Sequence, residues 1–249
     1  MASLCILVLC GVTSALAGVS GVETMEKQEL QGQGHGRPYM AYLVVGKEKI
    51  SSNCGGFLIR EDFILTAAHC QGKHYLAVLG ANNIMVDEAA QQLRRVAKAI
   101  PHPDYKEYEN DIMLLKLKRR VLLNENVSVI PLPWEEKIVS PSTVCSVAGW
   151  GGGDQDTRYL SDTLREVNVT VWSDTFCKEQ WEDEYNDRNI CAGDPDHDVC
   201  RGDGGGPLVC DGVVYGIVSK ASSRCGLKPS IYTKISKFFL WINETLANN

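Results

Sequence analysis

Ten cysteines occur in this chain of 249 residues, and eight of them, Cys54, Cys70, Cys145, Cys177, Cys191, Cys200, Cys210 and Cys225, lie beyond its first fifty. An even set of cysteines along an exported chain reads as four disulfides, a covalent frame that only a compact fold can close. Spacing alone leaves 105 pairings of eight cysteines open. Metal binding is the competing use, but no two form Cys-x-x-Cys and none stands near a compact histidine group, so no metal and no cofactor is expected. Export is read from the amino end. Residues 1–17 carry no charged side chain, Leu4 to Val12 is an apolar run too short to span a bilayer, and Ala15-Leu16-Ala17 has the small-x-small form that signal peptidase accepts. Cys5 and Cys10 leave with that leader. The triplets beginning at Asn126, Asn168 and Asn243 are candidate glycosylation sites on an exported surface.

The 25 Lys and Arg against 31 Asp and Glu leave a net charge of −6. Such a chain has no broad basic field for nucleic acid or an anionic membrane, and neither is an expected partner. Short apolar runs separated by turn residues dominate from Tyr39 onward: Tyr39 to Val45, Phe57 to Ala67, Tyr75 to Leu79, Asp111 to Leu117, Thr143 to Ala148, Val167 to Val171, Pro207 to Cys210, Val213 to Val218 and Ser230 to Thr233. Val167-Asn168-Val169-Thr170-Val171 alternates as a strand with one buried face should, and the break Gly149-Trp150-Gly151-Gly152-Gly153 ends a run. The pattern is all-β, a sandwich or barrel, closed by a helix from Lys237 in which Phe238, Trp241, Ile242 and Leu246 recur at helical spacing. Glu23 to Gly36 is polar and glycine-rich, and is expected to be extended.

Three ordered blocks carry chemistry: Thr66-Ala67-Ala68-His69-Cys70, Asn110-Asp111-Ile112-Met113-Leu114-Leu115 and Arg201-Gly202-Asp203-Gly204-Gly205-Gly206-Pro207-Leu208. Together they resemble the signature blocks of the chymotrypsin-like serine proteases. Arg37-Pro38-Tyr39-Met40-Ala41-Tyr42-Leu43 and Cys54-Gly55-Gly56-Phe57-Leu58-Ile59 are most similar to the granzyme and mast-cell protease branch, and the likeness runs from about Gly36 to the C-terminus. It implies two six-stranded antiparallel β-barrels with a cleft between them and a C-terminal α-helix. Residues 1–17 then form a signal peptide, 18–36 a loosely ordered segment and 37–249 the protease domain. The resemblance also selects the disulfides Cys54–Cys70, Cys145–Cys210, Cys177–Cys191 and Cys200–Cys225, each worth on the order of 3 kcal/mol.

The chemistry of that family needs a hydroxyl nucleophile, an imidazole base and a buried carboxylate that orients the imidazole. By resemblance His69 matches the base, Asp111 the orienter and Ser219 the serine that hydrogen-bonds the carboxylate. The nucleophile position is Gly204, where the family has serine. Glycine has nothing for His69 to deprotonate, and loss of a triad serine lowers kcat by roughly a million-fold. The N–H groups of Gly202 and Gly204 remain able to form an oxyanion hole. A second requirement also fails. The family is activated by a new Ile/Val-Ile/Val-Gly-Gly terminus that buries its ammonium against the aspartate matched by Asp203, whereas the corresponding stretch here is Glu26-Lys27-Gln28-Glu29. Asp203 is therefore expected either to recruit another cation or to leave its loop disordered.

Asp198 matches the pocket-floor carboxylate that gives trypsin-like members their preference for Arg or Lys. Ser230 stands where those members have a wall glycine and is expected to narrow the pocket. Lys220 replaces a cleft-lining tryptophan and Ala221 a glycine that pairs with substrate backbone; Lys220 is expected to reach toward Asp198. The resulting reading is a secreted or granule-stored, monomeric protease homologue without peptidase activity that binds a protein or peptide, protease inhibitors included. Its net −6 departs from the cationic granule proteases of this branch and argues against storage on heparin-like polyanions. Two alternatives stand beside it. One is a working Arg/Lys-specific endopeptidase whose sequence is misrepresented at Gly204 and at the amino end; the other is a scaffold that uses surface loops such as Glu182 to Asn189.

Overall fold

The computed structural model describes residues 36–48, 50–133, 138–152, 160–195, 197–222 and 225–249. The leader at 1–17 and nearly all of the segment to residue 36 lie outside the described residues. Six strands, β1 Met40–Gly46, β2 Ser51–Arg60, β3 Phe63–Thr66, β4 His74–Leu79, β5 Gln92–Pro101 and β6 Met113–Leu117, close into an antiparallel barrel in the order β1-β2-β3-β6-β5-β4. A second six-stranded antiparallel sheet contains β7 Val144–Gly149, β8 Arg165–Thr170, β9 Asn189–Ala192, β10 Pro207–Cys210, β11 Val213–Lys220 and β12 Ser230–Lys234, ordered β8-β7-β10-β11-β12-β9. Its two outer strands are drawn together by a bridge between Val171 and Ala192 and by the Trp172 N–H on the Cys191 carbonyl at 3.0 Å. The expected pair of six-stranded barrels is thus the observed fold.

The alternation read at Val167–Val171 is real: Val169 and Val171 are buried and Asn168 is exposed. The run Phe57 to Ala67, expected as one strand, is instead a hairpin. Glu61 and Asp62 turn it, and the Arg60 guanidinium reaches across to Asp62 at 2.6 Å. Strand β5 carries Arg94, Arg95 and Lys98 and is largely solvent-facing, so it has too little apolar pattern to read as a strand. Helix α1, Asp174–Trp181, also escaped the periodicity; Ser173 caps it by accepting the Phe176 N–H at 3.3 Å.

All four implied disulfides are present, Cys54–Cys70, Cys145–Cys210, Cys177–Cys191 and Cys200–Cys225. The closing helix is also observed, as α2 Phe239–Ala247 after a 3-10 turn over Ile235–Phe238. Ile235, Phe238 and Ile242 are buried in the same apolar cluster as Phe57, Leu65 and Leu114 of the first barrel, and the Arg60 guanidinium donates to the Leu246 carbonyl at 2.9 Å. The tail therefore straps the barrel that begins the chain. Asn168 and Asn243 are exposed on β8 and α2, while Asn126 is half-buried in the turn from Asn124 to Val127. Among the described residues no helix is long and apolar enough to cross a membrane.

Candidate active site

His69 lies on the 3-10 turn Ala68–Cys70 that follows β3, and Asp111 stands two residues before β6; β3 and β6 are paired neighbours, which brings the two residues together. Asp111 is fully buried. One carboxylate oxygen accepts the His69 backbone N–H at 2.8 Å, and the other takes His69 Nδ1 at 2.7 Å and the Ser219 hydroxyl at 2.6 Å. A carboxylate so held fixes the imidazole with Nδ1 protonated and Nε2 free to accept. Thr233, which the sequence reading did not single out, donates to the Asp111 carbonyl at 2.9 Å. Tyr108 was also missed, and its ring lies 5.6 Å from that of His69. The sulfurs of Cys54 and Cys70 come within 4.8 Å of a His69 ring nitrogen, but a disulfide leaves neither as a thiolate for metal.

Gly204 faces the open imidazole nitrogen. A Cβ built on it would fall 2.6 Å from Nε2, and the three heavy atoms nearest that point all belong to the His69 ring. Its backbone is pinned from the first barrel, where the Gly55 N–H donates to the Gly204 carbonyl at 2.8 Å. Gly202 has φ +105° and Gly205 φ +85°, a region that disfavours any side chain, and a Cβ on Gly205 would lie 2.2 Å from Thr66 Oγ1.

The turn that holds Asp203 is formed, which corrects the expectation of a disordered loop, and backbone amides meet its carboxylate. Its two oxygens accept backbone N–H groups, from Gly151 at 2.8 Å and Cys200 at 2.8 Å. A Cβ on Gly149 or Gly151 would come within 2.1 or 2.4 Å of that carboxylate. The glycine break after β7 is thus the cradle that admits Asp203, and charge-assisted amide bonds hold it there.

Asp198 meets Ser230, whose hydroxyl donates to it at 2.9 Å, and the Val199 N–H at 2.7 Å. Gly193 closes the other side, since a Cβ there would be 2.6 Å from the carboxylate. Burial is the main cause that pushes the Asp198 acid up to about 7; the Ser230 and Val199 hydrogen bonds pull it back and Asp194 adds to the rise. The sign of the consequence is opposite to that of a salt-bridged aspartate. Between its ordinary value of 3.8 and about 7 the folded chain holds a proton the unfolded chain has lost, so this group lowers stability as pH rises through that window. Asp198→Asn is expected to leave stability unchanged below about pH 4 and raise it above about pH 7, with a ceiling of about 4 kcal/mol at ~1.4 kcal/mol per tenfold change in proton affinity. Denaturant titration of both chains at pH 4 and pH 8 measures it, and an equal difference at the two values would refute the assignment. Tyr232, fully buried on β12, has a hydroxyl with no hydrogen-bond partner among the described residues; burial first, then the charges of Asp198 and Asp203, keep that phenol protonated.

Lys220 does not reach Asp198, which corrects the expectation. Its ammonium pairs with Glu184 and lies 5.5 Å from the ring centres of both Tyr108 and Trp181. A β-bulge between Val218 and Lys220 intervenes before Lys220, and two aromatic faces and a carboxylate give its ammonium a better site than a buried acid already held by Ser230. Ala221 packs at the margin of the second barrel's core.

The trypsin family model matches residues 28–242. The chain is 47% identical to granzyme B(G,H) of Mus musculus over 220 residues, covering 86% of this chain and 88% of that one. It is 47% identical over 221 residues to mast cell protease 3 of Ovis aries, covering 85% of each, and 44% identical over 218 residues to cathepsin G of Homo sapiens, covering 86% and 84%. The solved structure described as "Structure of GrC" superimposes with a TM-score of 0.82 at 42% identity, covering 86% of this chain and 96% of that one. The two barrels, the His69–Asp111–Ser219 constellation and these likenesses agree: the chain belongs to the trypsin family of chymotrypsin-fold serine proteases, among the relatives of granzymes, cathepsin G and mast cell proteases.

Proposed function

We propose that this chain is a secreted or granule-stored protease homologue that does not cleave peptide bonds and acts by binding a protein or peptide in the cleft between its barrels. The single observation that carries the reading is the hydrogen at Gly204, where the point 2.6 Å from His69 Nε2 holds no nucleophile. The imidazole, oriented by the carboxylate, is placed to accept a proton that no side chain offers, so an acyl-enzyme has no atom to form on. Asp198 with Ser230 supports a basic side chain as the anchoring group of the ligand, and protease inhibitors that present such a side chain belong to the same class.

Purified, monomeric protein, verified by intact mass, is expected to give no burst and no turnover with an Arg or Lys peptide ester. Burst kinetics from the native chain would overturn the reading and favour an active endopeptidase. The intact His69–Asp111–Ser219 geometry is the observation that keeps that second reading in play. Residual hydrolysis from donors and binding alone is on the order of 10³–10⁴-fold over water.

A further inference from the structure

An antiparallel sheet face turned to water normally shows polar side chains. The outer face of the first barrel departs from that rule. Val44 of β1 and Leu76 of β4 stand directly opposite one another, Arg95 of β5 faces Leu76, and Leu93, two residues before Arg95 and on the same face, is 54% exposed. With Gly46 and Ala97, which add little bulk, these residues line an open groove of about 880 Å³. Cations rim it. The Lys118 N–H donates to the Arg95 carbonyl at 2.8 Å, so two exposed cationic residues adjoin at one margin of the groove, and the Lys73 N–H donates to the Gly46 carbonyl at 2.8 Å at the other. Lys73 pairs with Glu48 at 2.7 Å, whereas the side chains of Arg95 and Lys118 have no ion pair or hydrogen bond among the described residues. The surroundings share the sign. Residues 37–120 hold 13 Lys and Arg against 9 Asp and Glu, while residues 121–249 hold 11 against 19, so the net −6 hides a cationic first barrel beside an acidic second.

We propose that this groove, outside the cleft, is a docking site for an acidic peptide segment of a partner protein that carries leucine or a similar apolar residue between its carboxylates. The apolar side chains cover Val44, Leu76 and Leu93, and the carboxylates meet Arg95, Lys118 and Lys73. A sulfated glycan would answer the cations but has nothing to lay on the apolar floor. An uncharged apolar segment would cover the floor and leave the cations unanswered. None of His69, Asp111, Asp198 or Lys220 lines the groove, so this site stands independently of the proposed function.

The test is fluorescence anisotropy of labelled probes with the intact, cell-secreted protein. The probes are the peptide Glu-Glu-Leu-Glu-Glu-Leu-Glu-Glu, blocked at both ends, its counterpart with serine for each leucine, and a heparin-type oligosaccharide; none carries a basic group for the Asp198 pocket. The leucine peptide is expected to bind at least about tenfold more tightly than the other two. Arg95→Glu is expected to weaken it at least about tenfold, while Lys178→Glu, the same charge reversal on the exposed face of α1, leaves it unchanged. No binding of the leucine peptide, equal binding of the leucine and serine peptides, or equal effects of the two charge reversals overturns the inference. Oligosaccharide binding as tight as that of the leucine peptide assigns the groove to a polyanion, and self-association of the native chain in sedimentation, abolished by Arg95→Glu, assigns it to a second copy; either result overturns the acidic-peptide reading. The absence of hydrolysis in the cleft is untouched by every one of these results.

Discussion

A Gly204→Ser chain that begins at residue 26 with Ile-Ile-Gly-Gly in place of Glu26–Glu29 is expected to hydrolyse an Arg or Lys peptide ester at least ~10⁴-fold faster than the native protein. The base and its orienter are already in place, with Nδ1 at 2.7 Å from Asp111 and Ser219 locking the same carboxylate. One adjustment is required. At 2.6 Å from Nε2 the new Cβ is closer than packed atoms allow, so the ring must draw back by roughly an ångström, within the reach of a side chain that is partly exposed and held at one nitrogen. Serine without the new terminus is expected to recover much less, because Asp203 then keeps its Gly151 and Cys200 amides and gains no buried terminal ammonium. The measurement is kcat/KM with burst amplitude for the single and double repairs. A folded double repair that stays silent would show that the Asp198 pocket or the two glycine N–H groups are not arranged for catalysis.

Gly205→Ala is expected to destabilise the fold by more than about 3 kcal/mol, the larger end of single-substitution effects. Two costs add at that position. Its φ of +85° is one that alanine adopts only under strain, and the methyl would meet Thr66 Oγ1 at 2.2 Å and the Gly55 carbonyl at 2.5 Å. Neither neighbour is free to yield, since the Thr66 hydroxyl itself donates to the Gly55 carbonyl at 2.7 Å. Gly212→Ala is the matched control, because φ there is +74° and no atom lies within 4 Å of the added methyl; it carries the backbone strain without the collision. Denaturant midpoints of the two variants separate strain from contact, and equal losses would show that the seam between the barrels relaxes around the methyl.

Much of the fold was legible because its pattern is local. Alternation at Val167–Val171 and the helical recurrence of Phe238 and Ile242 both survive in the structure, since each reports one element with one buried face. The join at Glu61 and Asp62 was not legible: apolar residues stand on both sides of the turn, and neither glycine nor proline marks it. Strand β5 was hidden for the opposite reason, with its backbone paired on both sides while its side chains mostly face solvent. At the site, residue identities were readable from ordered blocks, but reach was not. Lys220 was assigned the wrong partner because Tyr108, Trp181 and Glu184 converge on it from distant stretches of sequence, which spacing along the chain does not reveal. The donor pair on Asp203 was hidden likewise, since the glycines after β7 look like a simple strand ending until a carboxylate is found among them.

The strap formed by α2 sets the order in which the chain can mature. Ile235, Phe238 and Ile242 complete the apolar interior of the first barrel, yet they are synthesised only after all twelve strands, long after β6 ends at Leu117. A nascent chain holding only the first six strands therefore exposes the surface those three side chains later cover, and long-range closure of this kind is slow and prone to aggregation. Retention by chaperones should persist until Ile242 has emerged, and a frameshift just before Ile235 would damage the barrel encoded first.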